Sequence, residues 1–256
     1  MFKKLPILFT IILLLSIMFS TFASANEHEK LTVVSLGDSI TFGYNLEKPQ
    51  NPPKQSQNAF PFLIGTGGIE VLNVSFPGWT STHLVQVLNT SEAGTKLQQA
   101  DVITIYIGAN DLMQAVGLGE ILVSKQPIVP TEVMINKVNT AATQLSVNLQ
   151  ESIKLIRTKT DAPIMLYSIY NPFGQSTDPF AASLYNIGEL ITTKVNTEVI
   201  SQIAAHTGSI YLDAYTKFTG NQVNYIIQGD FHPTKAGHEA LALLATKELP
   251  SLQPLK

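Results

Sequence analysis

The feature that most constrains the fold is an apolar run that ends abruptly in Gly-Asp-Ser. Residues 31–43 read LTVVSLGDSITFG, so the apolar positions are β-branched or leucine and stop at Gly37. A short run of this kind is typical of a strand buried in a parallel sheet. Ser39 then follows the carboxyl end of the strand, which is where open α/β sheets bind their ligands. It is a candidate nucleophile, although many serines after strands only cap a turn or a helix.

Further apolar runs alternate with helical patterns along the rest of the chain. We predict strands at 69–74, 100–107, 163–169 and 209–212, and helices at 59–64, 81–88, 130–158, 180–206 and 234–248. Ser81 or Thr82 is available to cap the second helix. Segments 45–58, 112–130 and 170–180 are predicted to be loops. Because strands and helices alternate with no repeat or linker, the chain is predicted to form one doubly wound parallel α/β domain with helices on both faces.

The first 25 residues have the pattern of a secretory signal peptide. Lys3 and Lys4 precede an apolar run over 5–22, and Ala-Ser-Ala at 23–25 precedes a polar stretch. A basic start, an apolar middle and small residues at the end predict cleavage after residue 25 and a secreted domain spanning 26–256. An uncleaved membrane anchor is the alternative, because the apolar run approaches the length that spans a bilayer.

Charge and composition exclude several classes of function. The net charge is −3, and loss of the two lysines in 1–25 would make it about −5. Since no dense basic run remains, nucleic acid is not expected as a partner. The chain has no cysteine and five scattered histidines, which excludes disulfides and a lipid-modified cysteine. His238-Glu239 lacks the second histidine of a zinc-protease helix, so we predict no metal and no other cofactor.

Three more polar blocks follow the first at long separations. They are NVSFPG at 73–78, GAND at 108–111 and DFHP at 230–233. In this order the four blocks resemble those of the SGNH or GDSL serine esterases, which carry Ser, Gly, Asn and His, and the resemblance spans roughly residues 31–247. It implies a flavodoxin-like, three-layer α/β/α domain whose mainly parallel five-stranded sheet has the order 2-1-3-4-5.

The resemblance also implies which residues would carry out ester hydrolysis, a reaction that needs a nucleophile, a base and donors for the developing oxyanion. Ser39 would be the nucleophile and His232 the base. The backbone N–H groups of Ser39 and Gly78 and the side-chain amide of Asn110 would form the oxyanion hole. A glycine allows close approach of the backbone, and an amide donates at every pH. Gly78 and Asn110 are also residues that simple turns use, and His232 could merely cap a helix.

Two acids are assigned to support rather than to chemistry. Asp38 and Asp111 resemble the acids that flank the family's serine and asparagine, and we expect them to hold loops through hydrogen bonds. The second block also departs from the family pattern, because Ser75 stands where a second glycine is often found.

The third member of the triad is where the sequence departs most from the family. Members commonly carry an acid three residues before the histidine, but here that residue is Gly229 and the nearest acid, Asp230, is two before it. Residues two apart in an extended segment point to the same side, so Asp230 can still reach the His232 ring if residues 229–232 are extended. The alternatives are Asp213, which follows the predicted fifth strand, and a backbone carbonyl that orients the ring without any acid.

The resemblance implies a lipase, esterase or acylhydrolase that acts through an acyl-serine intermediate. Its substrate would be a small-molecule or lipid ester, with transient contact to a lipid surface. A carbohydrate O-acetylesterase of the same fold is an alternative, and a secreted binding module without activity is an alternative of another class. Aromatic and apolar residues in the segments near Ser39 favour acyl chains: Phe42, Phe76, Trp79, Met113 and Phe173.

Overall fold

The architecture is a parallel sheet between two layers of helices. A computed structural model describes residues 30–48, 50–65 and 68–252, so the predicted signal peptide lies outside the described residues. Five parallel strands pair in the order β2-β1-β3-β4-β5. They are β1 (Leu31–Gly37), β2 (Ile69–Ser75), β3 (Val102–Tyr106), β4 (Ile164–Tyr167) and β5 (Ile210–Leu212). The predicted fold class and strand order are confirmed.

The helices follow the strands in the alternation that the sequence predicts. They are α1 (Ser39–Phe42), α2 (Phe60–Leu63), α3 (Ser81–Leu88), α4 (Ser91–Leu97), α5 (Ala109–Val116), α6 (Leu118–Ser124), α7 (Glu132–Arg157), α8 (Pro179–Val195), α9 (Ser201–Thr207), α10 (Ala214–Phe218), α11 (Gln222–Tyr225) and α12 (Lys235–Leu252). A π-helical turn at Asn196–Ile200 joins α8 to α9, so the predicted helix at 180–206 is nearly continuous. Among the described helices, none is long and apolar enough to cross a membrane.

Alternate residues of the central strands supply two separate cores. Val34 and Leu36 of β1 pack on one face of the sheet with the buried side of α7, including Leu145 and Leu149. Val33 faces the other core, which contains apolar residues of α2, α10 and α12. Because both faces of β1 and β3 are covered, these strands are buried almost throughout. The carboxyl ends of these two parallel strands therefore lie at the same edge of the sheet, and both strands are held by buried packing on each face.

Two local predictions are wrong. The segment 112–130, predicted to be a loop, contains most of α5 and all of α6, separated at Gly117, whose φ is +69°. A glycine at positive φ ends one helix and allows the chain to turn into the next. The cap of α3 is Thr80 rather than Ser81 or Thr82, and it forms a capping box with His83.

Candidate active site

Ser39 is presented by the tight turn that follows β1. Asp38 caps the short helix α1, because its Oδ1 accepts a hydrogen bond from the Ile40 N–H at 2.9 Å. A Cβ on Gly37 would overlap the carbonyl oxygen of Tyr106 and the side chain of Thr41. Only glycine therefore allows the chain to turn this closely against β3. The turn leaves Ser39 as the first residue of the helix, at the carboxyl edge of the sheet.

The structure brings Ser39, His232 and Asp230 together in a line. Ser39 Oγ lies 3.0 Å from His232 Nε2, and His232 Nδ1 lies 2.7 Å from Asp230 Oδ1. The histidine side chain is 5% exposed and that of the aspartate 18%. Because the Asp230 carboxylate can only accept, the ring proton of His232 lies on Nδ1, which leaves Nε2 free to accept the hydroxyl proton of Ser39. The arrangement is that of a nucleophile, a base and an acid that orients the base.

Neither of the two alternatives to Asp230, which are Asp213 and a backbone carbonyl, contacts Nδ1 of His232. Asp213 caps α10, where its Oδ1 accepts from the Thr216 N–H at 2.9 Å. The two hydrogen bonds of the His232 ring go to Asp230 and Ser39, so no backbone carbonyl occupies Nδ1. Asp230 therefore reaches the His232 ring, but not through the extended segment expected from the sequence. Residues 228–232 form a turn and bends, in which Gly229 has a φ of +78° and the Asp230 N–H donates to the Ile227 carbonyl at 3.0 Å.

The surroundings keep Asp230 charged and His232 neutral near pH 7. Burial lowers the pKa of His232 below its ordinary value, and the charge and hydrogen bond of Asp230 offset this only in part. Burial also raises the pKa of Asp230, but hydrogen bonds from Asn45, the Phe231 N–H and His232 outweigh it, so its pKa lies below the ordinary value. A neutral imidazole beside a charged carboxylate is the protonation state that a general base requires.

Each of the three predicted oxyanion donors has an N–H hydrogen that is free for a ligand. Among the described residues, no acceptor takes the backbone N–H of Ser39 or of Gly78. Gly78 is exposed in the turn between β2 and α3, with a φ of +81°. Asn110 Nδ2 donates to the carbonyl oxygen of Trp79 at 2.8 Å. An amide nitrogen carries two hydrogens, so one donor of Asn110 is left for a ligand.

Asp38 and Asp111 hold the loops around these donors. Asp111 accepts hydrogen bonds from the N–H and the hydroxyl of Ser81, which ties α5 to the start of α3. Asp38 is fully buried, its Oδ2 has no hydrogen-bond partner, and burial raises its pKa to about 7. A buried carboxylate oxygen without a donor disfavours the charged form of Asp38, which agrees with its raised pKa.

An apolar pocket opens beside Ser39. Ser39 and Asn110 lie in its wall, and α5, α6 and α8 supply most of the remaining surface, which is almost entirely apolar. The lining includes Met113, Val116, Ile121, Phe173, Ile187 and Ile191. Of the five aromatic and apolar residues expected near Ser39, Met113 and Phe173 line the pocket. Phe42 is instead buried against Phe76, with ring centroids 5.9 Å apart, and Trp79 packs beside Phe76.

Sequence reasoning missed two residues at the site. Asn45 donates from Nδ2 to Asp230 Oδ2 at 2.7 Å, and the ring of Tyr44 lies 5.3 Å from that of His232. Asn45 begins the polar segment 45–58 and Tyr44 immediately precedes it, and no local pattern there signals a contact with the other end of the chain. Within the described part of the chain, no group of three or more His, Cys, Asp and Glu side chains is placed to hold a metal ion.

A family model matches most of the chain. The model of the GDSL-like Lipase/Acylhydrolase family matches residues 35–240. No curated protein sequence matches the chain at a significant level.

Solved structures share its fold at low sequence identity. A lipase from a goat rumen metagenome is 20% identical, with a TM-score of 0.64 over 87% of this chain and 97% of its own. A phospholipase A1 from Streptomyces albidoflavus NA297 is 19% identical, with a TM-score of 0.59 over 87% and 99%. An acetylxylan esterase from Geobacillus stearothermophilus is 19% identical, with a TM-score of 0.54 over 86% and 94%.

Proposed function

Because this chain belongs to the GDSL-like lipase/acylhydrolase family, we propose that it is a secreted ester hydrolase that cleaves acyl esters through an acyl-serine intermediate. Membership of the family makes it a serine ester hydrolase in general terms. The observation that supports the specific mechanism is the line of contacts from Ser39 Oγ to His232 Nε2 at 3.0 Å, and from His232 Nδ1 to Asp230 at 2.7 Å.

In the first half of the reaction, Ser39 Oγ attacks the ester carbonyl carbon while His232 Nε2 takes its proton. The carbonyl oxygen becomes negative, and the N–H groups of Ser39 and Gly78 together with the free amide hydrogen of Asn110 stabilise it. Each such donor typically contributes about 3–4 kcal/mol to the transition state. The C–O bond to the alcohol then breaks, and His232 returns its proton to the leaving oxygen. Asp230 holds the ring and stabilises its charged form throughout.

In the second half, water replaces the alcohol. His232 takes a proton from the water, whose oxygen attacks the acyl carbon of the acyl-serine. The bond to Ser39 Oγ breaks, Oγ recovers a proton from His232, and a carboxylic acid leaves. The same base and the same oxyanion donors therefore serve both halves of the reaction.

The apolar pocket beside Ser39 favours acyl chains longer than acetyl. Its wall is formed by side chains such as Met113, Val116 and Ile191, with few polar atoms. Burying each CH₂ group of a substrate in such surroundings is worth about 0.8 kcal/mol. An acetyl group would leave most of this surface unused, so the acetylxylan esterase among the structural relatives is the less favoured guide to the substrate.

The proposal is tested by comparing the wild type with Ser39→Ala in the hydrolysis of nitrophenyl esters. Turnover should fall by about 10⁴ or more in the variant with its melting temperature nearly unchanged, and a chelator should not affect the wild type. Full activity of a folded Ser39→Ala protein would contradict the mechanism. So would loss of wild-type activity when EDTA is added.

A further inference from the structure

The segment after the nucleophile folds back onto the acid and base that come from the far end of the chain. Gly43, at a φ of +74°, ends α1, and the Tyr44 N–H donates to the Ser39 carbonyl at 3.0 Å. The Leu46 N–H then donates to the Gly43 carbonyl at 3.4 Å, which closes a four-residue turn. This turn places the Tyr44 ring beside His232 and the Asn45 amide on Asp230. The nucleophile and its partners are thus linked by more than the hydrogen bond between them.

This turn supplies the hydrogen bond to the second carboxylate oxygen of Asp230. Oδ1 accepts from the Phe231 N–H at 2.6 Å and faces His232 Nδ1 at 2.7 Å, whereas Oδ2 accepts from Asn45 Nδ2 at 2.7 Å. Hydrogen bonds to a charged acceptor are shorter and stronger than those between neutral groups. The side chain of Asp230 is 18% exposed, so water would compete for Oδ2 if the amide were absent, and the carboxyl plane would no longer be fixed.

We propose that Asn45 is a positioning residue for the reaction, which acts by holding the Asp230 carboxylate against Nδ1 of the His232 ring. The proposal rests on the function proposed above, in which Asp230 orients the base. It also explains how an acid only two residues before the histidine is held in place. Gly229, with a φ of +78°, and the hydrogen bond from the Asp230 N–H to the Ile227 carbonyl fix its backbone, and Asn45 fixes the outer oxygen.

A purely conformational role for Asn45 is the alternative. Its φ is +64° at the third position of the turn, where glycine and asparagine are both favoured because they tolerate positive φ. Glycine keeps this backbone without strain but supplies no amide. Asn45→Gly therefore separates the two roles, since it preserves the turn and removes only the hydrogen bond to Asp230.

The experiment measures kcat, KM and the pH profile of kcat/KM for Asn45→Gly, Asn45→Asp and Asp230→Asn, and for the double variant with Asn45→Gly and Asp230→Asn. Asn45→Gly should lower kcat about tenfold with KM unchanged. Its acid limb should move to lower pH, because a carboxylate that turns away no longer stabilises the imidazolium. Asn45→Asp should also lower kcat, because it removes the amide donor and puts a second carboxylate against Asp230 Oδ2. In the Asp230→Asn background, Asn45→Gly should cost less than about twofold.

Asn89→Gly is the matched control, because it removes another exposed asparagine amide, one that bonds only to the Val85 carbonyl at the end of α3. It should leave kcat and the pH profile as in the wild type. Wild-type kcat and acid limb in a folded Asn45→Gly protein would overturn the proposal, as would an equal loss with and without Asp230. Normal activity of Asp230→Asn alone would instead overturn the proposed role of Asp230, so the two failures are distinguishable.

Discussion

Ser39 and His232 are 193 positions apart in the sequence, and their side chains meet at 3.0 Å at the carboxyl edge of the sheet. The serine follows the central strand β1, and the histidine precedes α12, which packs against the core beneath β1. The contact therefore depends on α12, which returns the chain from β5, at one edge of the sheet, to the core beside β1.

Asp230→Asn should lower kcat at least about a hundredfold with little change in KM. An asparagine keeps the shape of the side chain but removes the charge that stabilises the imidazolium, and it can impose the wrong tautomer on the ring. The measurement is steady-state hydrolysis of a nitrophenyl ester by the folded variant. Asp213→Asn is the matched control and should cost less than about tenfold, because Asp213 only caps α10. The reverse order of effects would assign the role to Asp213.

Butyryl to octanoyl esters should be hydrolysed with higher kcat/KM than acetyl esters, because their chains bury apolar surface in the pocket beside Ser39. A panel of nitrophenyl esters from acetyl to palmitoyl, with acetylated xylan and a lysophospholipid, checks this. Acetylated xylan as the best substrate would contradict it.

A pair of variants on α5 tests whether the pocket holds the acyl chain. Val116→Phe should lower kcat/KM for octanoyl at least about tenfold more than for acetyl esters, because Val116 lines the pocket. Gln114→Phe should leave the ratio unchanged, because Gln114 is exposed on the same helix and lies outside that pocket. Equal ratios in both variants would place the acyl chain elsewhere.

Asp38→Asn should remove a pH dependence of stability. The pKa of Asp38 is about 7 in the fold and 3.8 as a free side chain, so the native state holds a proton that the unfolded state releases between these values. The contribution of the protonated Asp38 to the free energy of unfolding is complete below about pH 4. It is lost as the pH rises to 7, by at most about 1.4 kcal/mol per pH unit. Asparagine resembles the protonated acid and has no such loss.

Melting temperatures of the wild type and Asp38→Asn, measured from pH 4 to 8, check this. The melting temperature of the variant relative to that of the wild type should rise with pH up to about pH 7, and the difference should be constant above pH 7. A constant difference over the whole range would mean that Asp38 is charged throughout. Asp213→Asn, a change at another helix cap, should follow the wild type.

Export remains a prediction from the sequence alone. The extracellular form should begin near Asn26, because the pattern of residues 1–25 predicts a cleaved signal peptide. N-terminal sequencing of the protein purified from the medium checks this. An extracellular or membrane-bound form that retains residues 1–25 would favour the anchored alternative.

The sheet could be predicted because its strands are marked locally. β1 and β3 are short apolar runs that end at a glycine, and burial on both faces leaves little room for any other pattern. α5 and α6 were not predicted, because Gly117 divides them into pieces of two turns each and α6 buries mainly Leu118. Helices this short depend on tertiary packing rather than on a periodic sequence.

The sequence predicts those site residues that lie in one of the four short blocks. Ser39, Gly78, Asn110 and His232 stand in the four blocks that resemble the family. The first three blocks lie at the carboxyl ends of the neighbouring strands β1, β2 and β3, which share one edge of the sheet, and the fourth precedes α12. The contact between Asn45 and Asp230 joins residues 185 positions apart, and Asn45 lies in a polar turn where asparagine is common for conformational reasons alone. Such a contact follows from the fold and not from any local signal.

The most direct test of the central claim is the site at which substrate or a serine-reactive fluorophosphonate becomes attached. The wild type should be labelled once, and mass spectrometry of its peptides should locate the adduct on Ser39. Ser39→Ala should take no label, and His232→Ala should be labelled far more slowly, because the hydroxyl then lacks its base. Labelling of Ser39→Ala at the wild-type rate, or an adduct on another residue of the wild type, would contradict the assignment of Ser39 as the nucleophile.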